Sequence, residues 1–256
     1  MVWCIWGVAI MRTVAHKFVN VICWVSLISF FIVSALIFLS YYEKYKVLQT
    51  NSQLAEIRDI AEAKSEETGD WSNGMLEINQ DYTGWLTVYG TQVDGPVVLG
   101  ESNEEYLKTD FYGQPSTAGT MFLDSTTDLQ SKGNLIIYGH KMKNDTMFGT
   151  LDLFKDPQFF LENGIVKWED ATGKHYYHIF AGFIAPGNAD ASSFVNIQAW
   201  NNKLSVEGTK EMLDTVQQRA FAYREEWTTD DDTYLFLVTC DYSRDNGRLV
   251  LVARSM

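Results

Sequence analysis

The pattern of apolar and polar positions divides the chain into three textures. Residues 18–39, FVNVICWVSLISFFIVSALIFL, run without a formal charge. As a helix of about 1.5 Å rise per residue this stretch reaches about 33 Å, enough for a bilayer core of about 30 Å. Over residues 43–67 apolar positions recur at helical spacing (Leu54, Ile57, Ile60, Ala61), with no Gly or Pro and few β-branched residues, which predicts a helix. Residues 69–74, with a glycine at each end, break it. From about residue 75 onward the apolar runs become short and are separated by Gly, Pro, Asn and Asp.

Eight of these runs read as strands: GWLTVYG, GPVVLG, GTMFLD, GNLIIYGH, GIVKWED, HYYHIFAGFI, TYLFLVTC and RLVLVAR. That density of short strands predicts an antiparallel barrel or sandwich. Two helical segments interrupt them. SNEEYLKTDF is short, whereas NNKLSVEGTKEMLDTVQQRAFAYREEW is longer and sets Leu204, Met212, Leu213, Val216 and Ala220 near one face. There are no internal repeats or low-complexity segments.

Charge changes the picture at the N-terminus. The net charge is −13, yet residues 1–39 hold only Arg12 and Lys17, so the rest of the chain is more acidic still, at −15. An acidic domain repels phosphates and argues against a nucleic-acid partner; such a surface ordinarily keeps a protein soluble. Arg12, His16 and Lys17 precede the apolar stretch, and Tyr41, Tyr42 and Tyr45 follow it. This arrangement predicts a single membrane span with the N-terminus inside and the domain outside. A cleaved signal peptide is the rival, with small residues at VSA, 33–35, but the apolar run continues past them and exceeds a signal h-region. The expected division is a cytoplasmic N-terminus at 1–17, an uncleaved anchor at 18–39, a helical linker at 40–74 and a β-barrel domain at 75–256. Translation from Met11 would give a more ordinary sequence before the span than MVWCIWGVAI does.

Topology makes the cysteines informative. Cys4 and Cys23 lie before or within the span, so Cys240 is the one thiol expected outside, where disulfides are the norm. Counting alone leaves open whether it is a buried hydrophobe or a reactive thiol. Cys240 ends the run TYLFLVTC, and DYSRDNG at 241–247 reads as a turn, after which Arg248 opens the returning strand beside it. A guanidinium there would hold the oxyanion of a tetrahedral intermediate, although an isolated arginine at a strand start is ordinarily a surface charge. Arg244 sits at the loop apex, and Arg254 lies roughly 20 Å along the strand.

A nucleophilic cysteine needs a basic or imidazolium partner. His16 is on the wrong side of the membrane. His175 and His178 are three apart in a strand-like run, face opposite ways and read as structural. His140 ends the run NLIIYG in the same end-of-strand setting as Cys240, so the two can converge at one mouth of a barrel. The run DDD at 230–232 reads as a solvated loop. No Walker motif, CxxC pair or dinucleotide fingerprint is present, and no cofactor or metal is expected.

Several ordered motifs carry a resemblance. LFLVTC followed by RLVLVAR resembles the TLxTC signature and returning arginine strand of the sortases, cysteine transpeptidases of Gram-positive cell surfaces. YGHKMKNDTMF is similar to the GH-x-M…MF pattern of class B sortases, and GWLTVYGTQVDGPVVLGESNEEYL and GTMFLD resemble class B segments in the right order. The match spans roughly residues 75–254. It implies a mainly β fold with added helices: an eight-stranded sortase-type barrel, an N-terminal helix, a long helix between strands six and seven at 201–224, and a preceding transmembrane helix.

The resemblance also implies roles. Cys240 is the nucleophile, His140 the general acid/base and Arg248 the oxyanion or substrate-orienting group. Cys240 would attack the carbonyl after the threonine of an NPxTx-like sorting signal on a surface protein. The thioacyl enzyme would pass to a peptidoglycan amine, or to a pilin lysine. Needing thiolate and imidazolium together, the reaction should show a bell-shaped pH profile. Asn103, Leu107, Tyr138, Phe194, Val195, Thr239 and Asp241 are the implied substrate contacts. A cysteine peptidase using water, and a binding module in which Cys240 is merely buried, are the competing readings.

Overall fold

The computed structural model describes residues 2–68, 73–188, 190–225, 229, 231–241 and 246–256. The side chains of residues 2–19, of much of 50–68, and of 73, 240 and 241 lie outside the described set. The chain forms two compact units, 1–46 and 47–256. A helix, α1 (Val2–Thr68), runs through the first unit and into the second. Its stretch Asn20–Gln49 is long and apolar enough to cross a membrane. In the second unit Val47 and Ala55 of α1, together with α2 (Asn73–Ile78), cover parts of a β-barrel.

All eight expected strands form. They are β1 (Tyr82–Val88), β2 (Asp94–Val98), β3 (Met121–Leu123), β4 (Leu135–Tyr138), β5 (Ile165–Asp170) and β6 (Gly173–Pro186). After a two-residue β7 (Ala222–Tyr223) come β8 (Tyr234–Asp241) and β9 (Gly247–Ser255). The order is β5-β1-β2-β3-β4-β8-β9-β6, and β6 pairs back onto β5 to close the barrel. The length of β6 makes closure possible: its first part, Gly173 to His178, pairs with β5, while Tyr177 to Pro186 pairs with β9. Closure leaves no free barrel edge to template aggregation.

The sheet departs from the all-antiparallel expectation at two places, because β2–β3 and β4–β8 are parallel. A parallel pair needs a long crossover, and the chain supplies one in each case. Alternating residues of every barrel strand fill the interior, among them Leu86, Val97, Ile137, Leu235, Leu237, Leu249 and Leu251. The opposite face of β4, β8 and β9 is apolar too: Ile136, Phe236, Val238 and Val250 pack beneath Met212 and Val216. Both faces of β8 are therefore buried, which explains its unbroken apolar run in place of alternation.

The helix carrying Met212 and Val216, α4 (Val206–Arg219), follows β6 and precedes the seventh barrel strand, β8. It is shorter than the expected 201–224. Asn202 adopts a positive φ of 65° and exchanges backbone hydrogen bonds with Asn134, so the chain there is tied to the barrel. Ser205 then caps the helix by accepting from the Gly208 amide at 3.0 Å. At the other end Ala220 is extended and the Phe221 amide donates to Gly182 O, so the chain joins the sheet as β7. The segment around residues 104–107 is likewise only a 3-10 turn, Glu105–Leu107. A last helix, α3 (Pro157–Glu162), begins at an Asp156 cap.

Candidate active site

The parallel register of β4 on β8 decides what meets at one end of the barrel. Leu135 to Tyr138 pair one to one with Leu235 to Val238, and the Gly139 amide donates to Val238 O at 3.2 Å. Two positions beyond the last pair stand His140 and Cys240. An antiparallel β4–β8 pair would have put these residues at opposite ends. On the other side β8 pairs antiparallel with β9, setting Cys240 opposite Arg248. His140 thus follows the end of β4 that lies beside the end of β8, and Cys240 lies opposite Arg248, so the three positions gather at one end of three adjacent strands. The side chains of Cys240 and Asp241 are outside the described residues, as are residues 242–245 including Arg244.

The backbone around His140 is closely constrained. A Cβ at Gly139 would sit 2.8 Å from the Phe148 ring, so only glycine permits this approach. His140 O accepts from the Phe148 amide at 2.9 Å, Lys141 bridges to Met147, and Lys141 Nζ lies 2.5 Å from Asp152 Oδ2. The His140 ring places Nε2 2.7 Å from Leu107 O. A carbonyl only accepts, so Nε2 carries a proton and Nδ1 is the position left to gain or lose one. Leu107 closes the 3-10 turn of the β2–β3 connection, which is held by Tyr106 donating to Asp81 at 2.7 Å. Burial, followed by that bond to Asp81, pushes the Tyr106 phenol up to about 12.

On β9, Arg248 Nη1 donates to Asn246 Oδ1 at 3.1 Å and to Gly247 O at 3.0 Å. Gly187 faces this guanidinium, and a Cβ there would meet Arg248 Cζ at 3.1 Å. The glycine after β6 therefore gives Arg248 room.

Beside these positions lies a carboxylate that the sequence reading passed over. Asp124, just after β3, has no exposed surface. Its Oδ2 accepts from Asn103 Nδ2 at 3.0 Å, Tyr138 Oη at 3.0 Å and Gln198 Nε2 at 3.1 Å. Its Oδ1 accepts from the Thr126 amide at 3.0 Å and Thr126 Oγ1 at 2.6 Å. Burial alone would raise this carboxyl, but the bonds from Thr126, Gln198 and Asn103 outweigh it and hold the group below the usual aspartate range. Tyr138, stacked on Phe122 at 5.3 Å, is pushed up, first by burial and then by the Asp124 charge. The signal in the sequence was a charged residue ending the buried run GTMFL and followed by Ser-Thr-Thr, a pattern that calls for local hydrogen bonding.

Comparison with known proteins bears directly on these strands. The Sortase domain model matches residues 86–256, two thirds of the chain, including β4, β8 and β9. The chain belongs to the sortase family. Sortase B of Staphylococcus aureus is 27% identical over 185 residues, covering 70% of this chain and 72% of that protein. Among solved structures, Clostridium perfringens sortase B matches with a TM-score of 0.66 and 31% identity, over 72% of this chain and 99% of that one. A Streptococcus pyogenes class B sortase involved in pilus biogenesis matches with a TM-score of 0.63 and 31% identity, over 72% and 97%. These relatives are class B enzymes, cysteine transpeptidases, and the closed eight-stranded barrel is theirs.

The implied substrate contacts of this sortase fall into groups. Asn103, Leu107 and Tyr138 come together around Asp124 and His140. Phe194 and Val195 lie on the connection after β6, Phe194 exposed and Val195 buried, and that connection also carries Gln198. Thr239 differs: it is 2% exposed, in phase with Leu235 and Leu237, and so belongs to the barrel interior. Its Oγ1 finds no hydrogen-bond partner among the described residues. Asp241 pairs with Gly247 across the end of the β8–β9 ladder.

Proposed function

We propose that this sortase is a single-pass membrane enzyme, N-terminus inside and barrel outside, that cleaves an NPxTx-like sorting signal after threonine and transfers the protein to a cell-wall amine. The apolar stretch Asn20–Gln49 would be its anchor. On this reading the chain divides as 1–17 inside, 18–39 in the membrane, 40–74 as helical linker and 75–256 as the catalytic domain. The observation that carries the proposal is the alignment of His140, Cys240 and Arg248 at one end of β4, β8 and β9.

The Cys240 thiolate attacks the threonine carbonyl, and the Arg248 guanidinium neutralises the oxyanion as it forms. His140 Nδ1 protonates the departing amine, giving a thioacyl enzyme. An incoming amine attacks the thioester, His140 recovers the proton, and the new amide leaves. The acyl group keeps its reactivity throughout, so no ATP is consumed. The Leu107 carbonyl holds the Nε2–H of the ring and so turns Nδ1 towards the reaction. Asn103, Leu107, Tyr138, Phe194, Val195 and Asp241 would line the peptide groove. Thr239, turned into the barrel interior, would not reach the peptide groove.

A pilin lysine is the alternative acceptor. The 31% identity to the Streptococcus pyogenes class B sortase involved in pilus biogenesis supports keeping it. The full chain in detergent, mixed with an NPxTx peptide library and either a glycine-type or a lysine-type amine, tests all of this by mass spectrometry. A thioacyl adduct at Cys240 that Cys240→Ala abolishes is expected. A library in which no member acylates Cys240 removes the proposal, and hydrolysis unaffected by either amine would make the enzyme a peptidase.

A further inference from the structure

Asp124 is a buried charge with no cation among its described partners. Its two oxygens collect five donors, three of them from separate parts of the chain: Asn103 on the β2–β3 connection, Tyr138 on β4 and Gln198 on the connection after β6. Those two connections are the ones proposed above as the walls of the peptide groove, and Tyr138 lies two residues before His140 on the strand between them. A desolvated carboxylate is costly to build, and an apolar residue ending β3 would pack as well. Its presence calls for a role beyond filling space.

The hydrogen-bond arithmetic supplies one. Asn103 Oδ1 accepts from the Ser125 amide at 2.7 Å while its Nδ2 donates to Asp124 Oδ2 at 3.0 Å. Turning this amide over would set oxygen against carboxylate and N–H against N–H, so its orientation is fixed by charge. One Nδ2 hydrogen remains for a third partner, and it is a donor by necessity. Tyr138 spends its hydroxyl proton on Asp124 and is also bonded by the Gln198 side chain, so towards any further partner its remaining lone pair can only accept.

We infer that Asp124 is a positioning residue that sets the donor and acceptor polarity of the peptide groove and ties its two walls to β4. Asn103 presents a fixed N–H to a backbone carbonyl of the bound peptide, and Tyr138 presents an acceptor to a peptide N–H. A second consequence follows along the chain. Asn103 is anchored four residues before Leu107, whose carbonyl holds His140 Nε2, so the same carboxylate restrains the segment that orients the histidine. A neutral amide at position 124 keeps the size but offers one accepting atom where the carboxylate offers two, and it frees Asn103 to turn.

This inference rests on the sorting-signal reading, and the experiment separates the two. The full chain in detergent is used throughout. First, wild type is tested for acylation of Cys240 by sorting-signal peptides; a failure here overturns the parent reading. Binding of an acylating peptide to the Cys240→Ala background is then measured by fluorescence anisotropy with Asp124→Asn, Asn103→Ala and both together. Asp124→Asn should weaken binding about tenfold, the scale of one charge-assisted hydrogen bond. The double variant should lose no more than the larger single loss, since either change removes the same fixed donor. Unchanged affinity in Asp124→Asn, or losses that simply multiply, overturns the inference while acylation by wild type leaves the parent reading standing.

A structural role alone would lower stability without coupling, so the same cycle is run on thermal unfolding without peptide. Non-additive stability losses are expected between Asn103 and Asp124, and additive ones overturn the lock even where no peptide has been found. Gln198→Ala provides a variant that leaves the Asp124 charge in place should Asp124→Asn fold poorly. It should weaken binding by a smaller factor, and an effect larger than that of Asn103→Ala counts against the scheme.

Discussion

His140 and His178 invite comparison because both rings belong to barrel positions and neither is fully exposed, yet they meet opposite chemistry. His140 follows β4, where strand pairing has ended, and its Nε2 meets the Leu107 carbonyl. His178 lies within β6, paired with Ile165 on one side and Arg254 on the other, and its Nε2 meets the Arg224 guanidinium. Arg224 is itself held by Phe160, donating to its carbonyl and lying 5.1 Å over its ring. A carbonyl can only accept, so it takes the Nε2–H of His140 and leaves Nδ1 as the open position. A guanidinium can only donate, so the Nε2 of His178 must accept and its lone pair is already taken. The difference teaches that availability for proton transfer comes from the partner across the ring, not from residue type or strand position. His175 makes the same point, since its Nε2 lies 2.8 Å from Thr172 Oγ1 within the β5–β6 turn.

Mutation should break this comparison most sharply at the proposed chemistry. His140→Ala is expected to lower transpeptidation by roughly a thousandfold or more, and Cys240→Ala to abolish thioacyl formation. His178→Ala should leave kcat near wild type. A His140→Ala enzyme that turns over within tenfold of wild type would sink the assignment. Arg248→Lys should cost about a hundredfold in kcat, because one oxyanion donor is worth about 10²–10³ and a lysine lacks the planar fork. Steady-state kinetics with an acylating peptide reads both effects.

The next effects fall on stability. Gly139→Ala forces a Cβ to within 2.8 Å of the Phe148 ring, at a cost of about 1–3 kcal/mol, and should lower activity by shifting the His140 backbone. Denaturant titration alongside kinetics separates the two losses; an unchanged midpoint would mean that the ring moves freely. His178→Ala should cost about 1–2 kcal/mol, because Arg224 then loses an acceptor. The smallest effect concerns pH. The folded-state pKa of Asp124 is depressed, so its contribution to stability is complete above the ordinary aspartate value, about 4, and is lost as pH falls through the folded value. Asp124→Asn should therefore flatten the acid side of the melting-temperature profile, and an identical acid limb in both proteins would contradict the assigned direction.

Much of the barrel was legible in the chain. Each of the eight apolar runs became a strand, because β-branched and aromatic clusters bounded by Gly, Pro, Asn and Asp have few other uses. Helix ends were less legible. Asn202 and Ala220 sit in a pattern that continues the α4 periodicity, but sheet pairing with Asn134 and Gly182 overrides local propensity at both ends. The site was half visible. Cys240 and Arg248 flank the turn expected at 241–247, so a hairpin reading of the sequence puts them side by side, as the β8–β9 register does. Asp124, Gln198 and the Leu107 carbonyl were not visible, since hydrogen bonds between residues up to 74 apart leave no periodic trace.

Periodicity and turn chemistry by themselves determined the strand set, the apolar N-terminal helix and the pairing of Cys240 with Arg248, because each depends on contacts within a few residues. Only the tertiary structure decided that β4 runs parallel to β8. That choice depends on the long crossover between residues 138 and 234, and it alone brings His140 to the same end as Cys240. Tertiary packing also decided which histidine faces a carbonyl and which a guanidinium. In both cases the partner comes from a distant segment, and the electrostatics of a ring are set by what packs against it.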